Sequence, residues 1–172
     1  LKKLILSTAL LATTAHAAFY AGPSLIMLDN TSPNGSYRGI QPQLNIGYSE
    51  MVSSYSYLAA EVFGAHGSIL LNDNTPIGES LKSGYSFGAS FIPGYLITDN
   101  VIGYLRVGFI ETSFTSPNES QSGGQVGIGL QTSLTRYWHL RTEYDYSGYS
   151  KATSIGSVKA DQYMIGLIYN FI

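Results

Sequence analysis

KADQYMIGLIYNFI, residues 159–172, is the stretch from which the fold is read. From Tyr163 on, one alternate set is Tyr163, Ile165, Leu167, Tyr169 and Phe171, wholly apolar or aromatic. The other is Gln162, Met164, Gly166, Ile168 and Asn170, mixed and small. A period of two is a strand. A strand finishing on an aromatic side chain needs a neighbour for its open edge. The first strand is the expected neighbour, so the chain closes on itself as a barrel.

Working outward, seven further strands are predicted: Phe19–Leu28, Arg38–Ser49, Tyr55–His66, Gly84–Ile97, Val101–Thr112, Gly124–Ser133 and Trp138–Tyr149. The second is the cleanest. Ile40, Pro42, Leu44, Ile46 and Tyr48 alternate with Gln41, Gln43, Asn45, Gly47 and Ser49. Pro23 interrupts the first strand and must sit at a bulge or face a gap in the hydrogen bonding, because it has no N–H to give. Polar connections are expected at Asp29–Ser36, Gly67–Lys82, Ser113–Ser122 and Ser150–Val158, and short turns at Glu50–Ser54, Thr98–Asn100 and Leu134–Tyr137. Long links therefore gather at one end and short ones at the other, the asymmetry of a transmembrane barrel.

Composition agrees with that reading. Charged residues are only 12% of the chain, about half the share of a soluble domain. Mean hydropathy is close to zero, as it is when only alternate residues meet lipid. The absence of cysteine excludes disulfides and thiolate chemistry, and no basic stripe suggests nucleic acid. No cofactor is called for, and no cluster suggests a metal. Lys2 and Lys3, the apolar run Leu4–Leu11 and Ala15-His16-Ala17 have the layout of a secretory signal peptide. Residues 1–17 are then a signal and residues 18–172 the barrel domain.

Five charges fall inside strands on the polar face: Glu61, Arg106, Arg141, Glu143 and Asp145. The interior of an eight-stranded barrel is just wide enough to be filled by side chains. Packed there, these groups must neutralise and hydrogen-bond one another, a structural network. The alternative is an ion or proton path. Gly88, Gly108, Gly127, Gly129 and Gly166 leave them room. Aromatic residues crowd strand ends, among them Phe19, Tyr20, Tyr48, Tyr55, Tyr57, Tyr95, Tyr137, Trp138, Tyr169 and Phe171, as headgroup-level girdles do.

With FYAG at 19–22, PGYLITDN at 93–100, YLRVG at 104–108, HLRTEYDY at 139–146 and GLIYNF at 166–171, the chain resembles a known group. It is the eight-stranded outer-membrane barrel family of the opacity proteins, the small neisserial surface protein and the transmembrane domain of OmpA-like porins. The resemblance implies an all-β, eight-stranded antiparallel up-and-down barrel in a Gram-negative outer membrane. It also implies lipid and lipopolysaccharide as surroundings. Gly166, Tyr169 and Phe171 resemble the signal read by the barrel assembly machinery, although Met164 and Ile172 depart from that pattern. Members include adhesins and binders of host proteins. The leading expectation is a non-enzymatic surface barrel with adhesion or partner binding through its outer loops.

The rivals are a narrow pore, a lipid A deacylase and a soluble periplasmic carrier of an apolar ligand. His66-Gly67-Ser68 faintly resembles a deacylase element, with Asp73 or Glu79 as its only nearby carboxylates. In-strand charge speaks against the carrier.

Overall fold

A computed structural model describes residues 18–32, 35–67, 69–72, 81–115, 118–149 and 159–171. The chain forms β1 (Ala18–Ser32), β2 (Gly35–Met51), β3 (Ser56–Ala65), β4 (Ile69–Asn72) and β5 (Leu81–Thr98). It continues with β6 (Val101–Thr115), β7 (Asn118–Ser133), β8 (Trp138–Tyr149) and β9 (Lys159–Phe171). All pairings are antiparallel, and each strand pairs with its neighbour in sequence, with two exceptions. β3 pairs directly with β5, as does the short β4, so β3 and β4 make one stave. β1 pairs with β9 from Phe19↔Phe171 to Thr31↔Lys159, closing the ring. The architecture is an eight-stranded, closed, up-and-down barrel.

The seam has a local irregularity with a plain cause. The β1–β9 ladder runs through Ala21↔Tyr169 and resumes at Ser24↔Gly166, passing over Gly22 and Pro23, while Pro23 keeps its partner Leu44 on β2. Pro93 repeats the pattern, keeping Leu58 on β3 and lacking a partner on β6. Each proline turns its missing donor towards the skipped ladder positions.

Several expected loops are strand. β1 and β2 stay paired out to Ser32↔Gly35, and β6 and β7 out to Thr115↔Asn118. Asp29–Ser36 and Ser113–Ser122 are thus largely hairpin arms. Beyond the membrane both faces meet water, so the apolar alternation that announces a strand fades while the backbone ladder continues. Within Gly67–Lys82, β4 and the start of β5 are strand, and the residues between them lie outside the described part. So do 150–158, residues 1–17 proposed as a signal, and Ile172. The short turns hold: β2 and β3 join through Val52–Tyr55, β5 and β6 through Asp99–Asn100, β7 and β8 through Leu134–Tyr137.

Side chains sort cleanly by parity. Outward positions such as Ile40, Leu44, Leu105, Phe109, Ile128 and Ile165 are exposed and apolar. Their alternates, including Gln41, Gln43, Asn45, Gln125, Gln131 and Gln162, are buried. A greasy exterior around a polar interior inverts a soluble core and suits only a hydrocarbon surround. Spin labels at Leu44 and Ile128 are expected to report hydrocarbon, while labels at Gln43 and Gln125 report a packed interior. The opposite readout would invert the orientation.

The short-turn end carries an aromatic girdle. Phe19–Tyr48, Trp138–Tyr169 and Tyr169–Phe171 meet edge-on, with ring centroids 5.0–5.1 Å apart. Tyr55–Tyr95 and Tyr137–Tyr169 stack at 5.9 and 6.0 Å. Tyr20 and Tyr57 do not belong to it. Both point inward and pack with Ala59, Ile92, Tyr104 and Ile168 into an apolar plug. Tyr20 shares its parity with Gly22 and Ser24, the polar side of β1, which places its ring inside despite its position near the strand end.

Candidate functional site

The interior is built in layers above that plug. β3, β6 and β8 send Glu61, Arg106, Arg141, Glu143 and Asp145 into the interior, because all five occupy inward positions of their strands. Arg106 Nη2 donates to Glu61 Oε1 at 2.6 Å. Its Nε lies 2.7 Å from Glu143 Oε1 and 3.7 Å from Asp145 Oδ1. Arg141 Nη1 donates to Glu61 Oε2, which also accepts the Tyr20 hydroxyl at 2.8 Å. Arg141 Nη2 and Nε both reach Gln131 Oε1, at 2.9 and 3.3 Å.

Glu61 is therefore gripped by two guanidiniums and a phenol. Glu143 and Asp145 depend on Arg106 alone among the cations. The Arg106–Glu143 approach is an ion contact whose N–H is not aimed at the oxygen, so it rests on charge rather than on an aligned hydrogen bond. The guanidinium of Arg141 sits over the rings of Tyr20 and Tyr104, at 5.2 and 5.5 Å, and that of Arg106 sits 5.8 Å from the Phe63 centroid. Tyr20 and Tyr104 belong to the plug itself, so the plug meets the cation of Arg141 with the negative faces of its rings.

Close packing explains the glycines. A methyl at Gly127 would lie 1.8 Å from Asp145 Oδ1, and one at Gly129 would lie 2.3 Å from the Tyr104 ring. The space a side chain would occupy on β7 is taken by a carboxylate and a phenol from neighbouring strands.

Beyond the charged level lies an amide layer. Asn45 Nδ2 donates to Ser24 Oγ at 2.8 Å, and Gln43 Nε2 to Asn45 Oδ1 at 2.6 Å. Ser86, Thr112 and Tyr149 then form a hydroxyl chain with spacings of 2.9 and 3.0 Å. Glu61, Arg106 and Arg141 are 2%, 1% and 0% exposed, so water has no static route to them. Tyr20 and Gln131 are members of this network that the sequence reading left out. Their in-phase spacing with Ser24 and with Gln125, Gly127 and Gly129 was the available signal.

The other sequence candidates do not assemble into a reaction centre. His66 is exposed at the end of β3, and its backbone N–H donates to Pro42 O at 3.1 Å. Ser68, Asp73 and Glu79 lie outside the described residues. His139 stands at the short-turn mouth, with Nδ1 3.1 Å from Ser133 Oγ and Nε2 2.9 Å from Asn170 Nδ2. Among the described residues, no three His, Asp or Glu side chains are grouped to hold a metal ion. Gly166 lies inside opposite Ser24, while Tyr169 and Phe171 sit on the girdle.

No family model and no curated protein sequence matches the chain. Solved structures do share its fold. Neisserial surface protein A is 22% identical, with 91% of this chain and 100% of that chain covered and a TM-score of 0.68. The attachment invasion locus protein Ail of Yersinia pestis, in complex with the heparin analogue sucrose octasulfate, is 16% identical. That match covers 91% of this chain and 100% of that one, at a TM-score of 0.59. The outer membrane enzyme PagL is 13% identical, covering 83% and 97%, with a TM-score of 0.57. The fold is that of the eight-stranded outer-membrane barrels.

Proposed function

We propose that this chain is a sealed, non-enzymatic barrel of the Gram-negative outer membrane that works through the hairpins at its long-connection end. The observation that carries this reading is the filled interior beneath an apolar exterior. Arg106 and Arg141 occupy the axis and are shut off from water, so the barrel is a rigid pedestal rather than a conduit. The buried charges are then structural, as their mutual pairing suggests, and the narrow-pore reading loses its water path. A soluble carrier would need an apolar lumen, and this one is ionic. In this reading residues 1–17 direct export, and Gly166, Tyr169 and Phe171 serve the assembly machinery.

The hairpins β1–β2 and β6–β7 offer polar arms to a partner. The heparin analogue bound by Ail does not carry over easily. At that end the described side chains place Asp29, Glu111 and Asp161 against Arg38 and Lys159, with no cationic surplus among them for a polysulfated ligand. A host or surface protein fits better than a polyanion. PagL shares the barrel, yet the residues described here assemble no hydrolytic constellation at that end.

The test is adherence of intact cells carrying the barrel, with each hairpin shortened in turn. Shortening Ser113–Gln121, for example, is expected to leave the folded, heat-modifiable gel band intact while reducing attachment to host-cell surfaces. Undiminished attachment with every outer connection trimmed would overturn the proposal.

A further inference from the structure

Between the two turns Asp99–Asn100 and Leu134–Tyr137 lies a polar cavity of about 360 Å³, lined by Asn100, Ser133, Leu134, Thr135, Arg136 and His139. It opens at the short-turn end, beside the girdle residues Tyr137 and Trp138. Its floor is fixed: Ser133 N–H donates to Asn100 O at 2.9 Å, and Leu134 N–H to Trp138 O at 2.9 Å.

The hydrogen bonds already made decide what the cavity can still offer. Thr135 Oγ1 accepts the backbone N–H groups of Tyr137 and Trp138, at 3.2 and 3.0 Å. Its acceptor capacity is used, and its own proton is left to give. Ser133 is in the same position. Asn170 Nδ2 donates to His139 Nε2, so the ring proton sits on Nδ1 and is donated to Ser133 Oγ. The serine hydroxyl proton is thereby also free to be given. The Asn100 side-chain amide has no hydrogen bond among the described residues. Arg136 makes no ion pair among them either, and its guanidinium only leans over the Tyr137 ring at 5.9 Å. Asp99, in the facing turn, is exposed and does not line the cavity.

Two hydroxyl residues, an asparagine and an arginine with no ion pair among the described residues thus border one space, and no carboxylate residue lines it. That is a donor set for an oxyanion, and a guanidinium with flanking hydroxyls suits tetrahedral phosphate. We propose that this cavity binds a phosphate group at the short-turn mouth of the barrel. The phosphate comes from a phospholipid headgroup of the adjoining leaflet or from the surrounding solution. The girdle puts the cavity at headgroup depth, where a lipid phosphate is at hand. The inference does not depend on what the opposite end contacts.

Trp138 is the single tryptophan of the chain and adjoins the cavity, so its fluorescence reports occupancy. The folded barrel in non-ionic micelles is titrated with inorganic phosphate, with a short-chain phosphatidylglycerol, and with the uncharged diacylglycerol of the same chains. A saturable response to the phospholipid alone supports the lipid source, and one to inorganic phosphate supports the shared chemistry. Arg136→Ala is expected to weaken binding about tenfold or more, with Arg136→Lys between it and wild type. The folded gel band confirms that both variants retain the barrel. The proposal is overturned if neither phosphate probe gives a saturable response, if the diacylglycerol matches the phospholipid, or if Arg136→Ala binds like wild type.

Discussion

Replacing Arg106 by methionine is expected to destabilise the folded barrel by about 3–5 kcal/mol, because it strips the cation from buried carboxylates. Methionine fills much of the same volume, so the loss is chiefly electrostatic. Glu61 would keep Arg141 and the Tyr20 hydroxyl, but Glu143 and Asp145 would lose the one guanidinium beside them. Both Glu143 oxygens and Asp145 Oδ1 have no aligned hydrogen-bond partner among the described residues to fall back on. The measurement is urea unfolding in micelles, followed by the shift between folded and unfolded gel bands. Arg38→Met is the control. Arg38 pairs with Asp29 at 2.7 Å, but its side chain is 77% exposed, and such pairs contribute no more than about 1 kcal/mol. An Arg106 variant no weaker than the Arg38 variant would show that the interior charges are not coupled as their distances imply.

Gly22→Val is expected to cost about 3 kcal/mol or more and to prevent the seam from closing. A methyl at Gly22 would lie 2.0 Å from the carbonyl oxygen of Leu167 and 2.8 Å from the Cα of Ile168. Both are backbone atoms of β9, so no rotamer change relieves the clash. The strands must part where the ladder is already interrupted at Gly22 and Pro23. Gly64→Ala is the matched control, because a methyl there meets nothing within 4 Å. The readout is the yield of heat-modifiable barrel on refolding into micelles. Equal yields for the two variants would mean that β1 and β9 approach less closely than described.

The parts of this fold legible in the sequence are those where one face meets lipid. Ile40 to Tyr48 and Tyr163 to Phe171 alternate without a break, because every second residue there faces hydrocarbon. The same alternation put Glu61, Arg106, Arg141, Glu143 and Asp145 on a common face, and the barrel's curvature brings them into contact. What parity could not supply was height along the axis. It could not tell that Arg141 would reach across to Glu61, or that Gln131 would complete its partners. The hairpin arms were harder to read for a different reason. From Asp29 to Ser36 and, Phe114 apart, from Ser113 to Ser122 both faces are polar, so the ladder leaves little trace in the sequence. Tyr20 was misassigned because an aromatic residue near a strand end suits a girdle and a plug equally well. Only its phase relative to Ser24 separates the two.

Seven of the eight junctions around the ring join staves that follow one another along the chain, and these can zip as soon as each turn forms. The eighth brings Phe19 beside Phe171 and spans the whole described sequence. Its loop entropy must be met before any contact there repays it. Until that moment the molecule is an open sheet with two bare margins, each able to pair with another chain. Sealing is thus a late, all-or-nothing event, and the lifetime of the unsealed sheet sets how long the nascent molecule needs protection from its own copies.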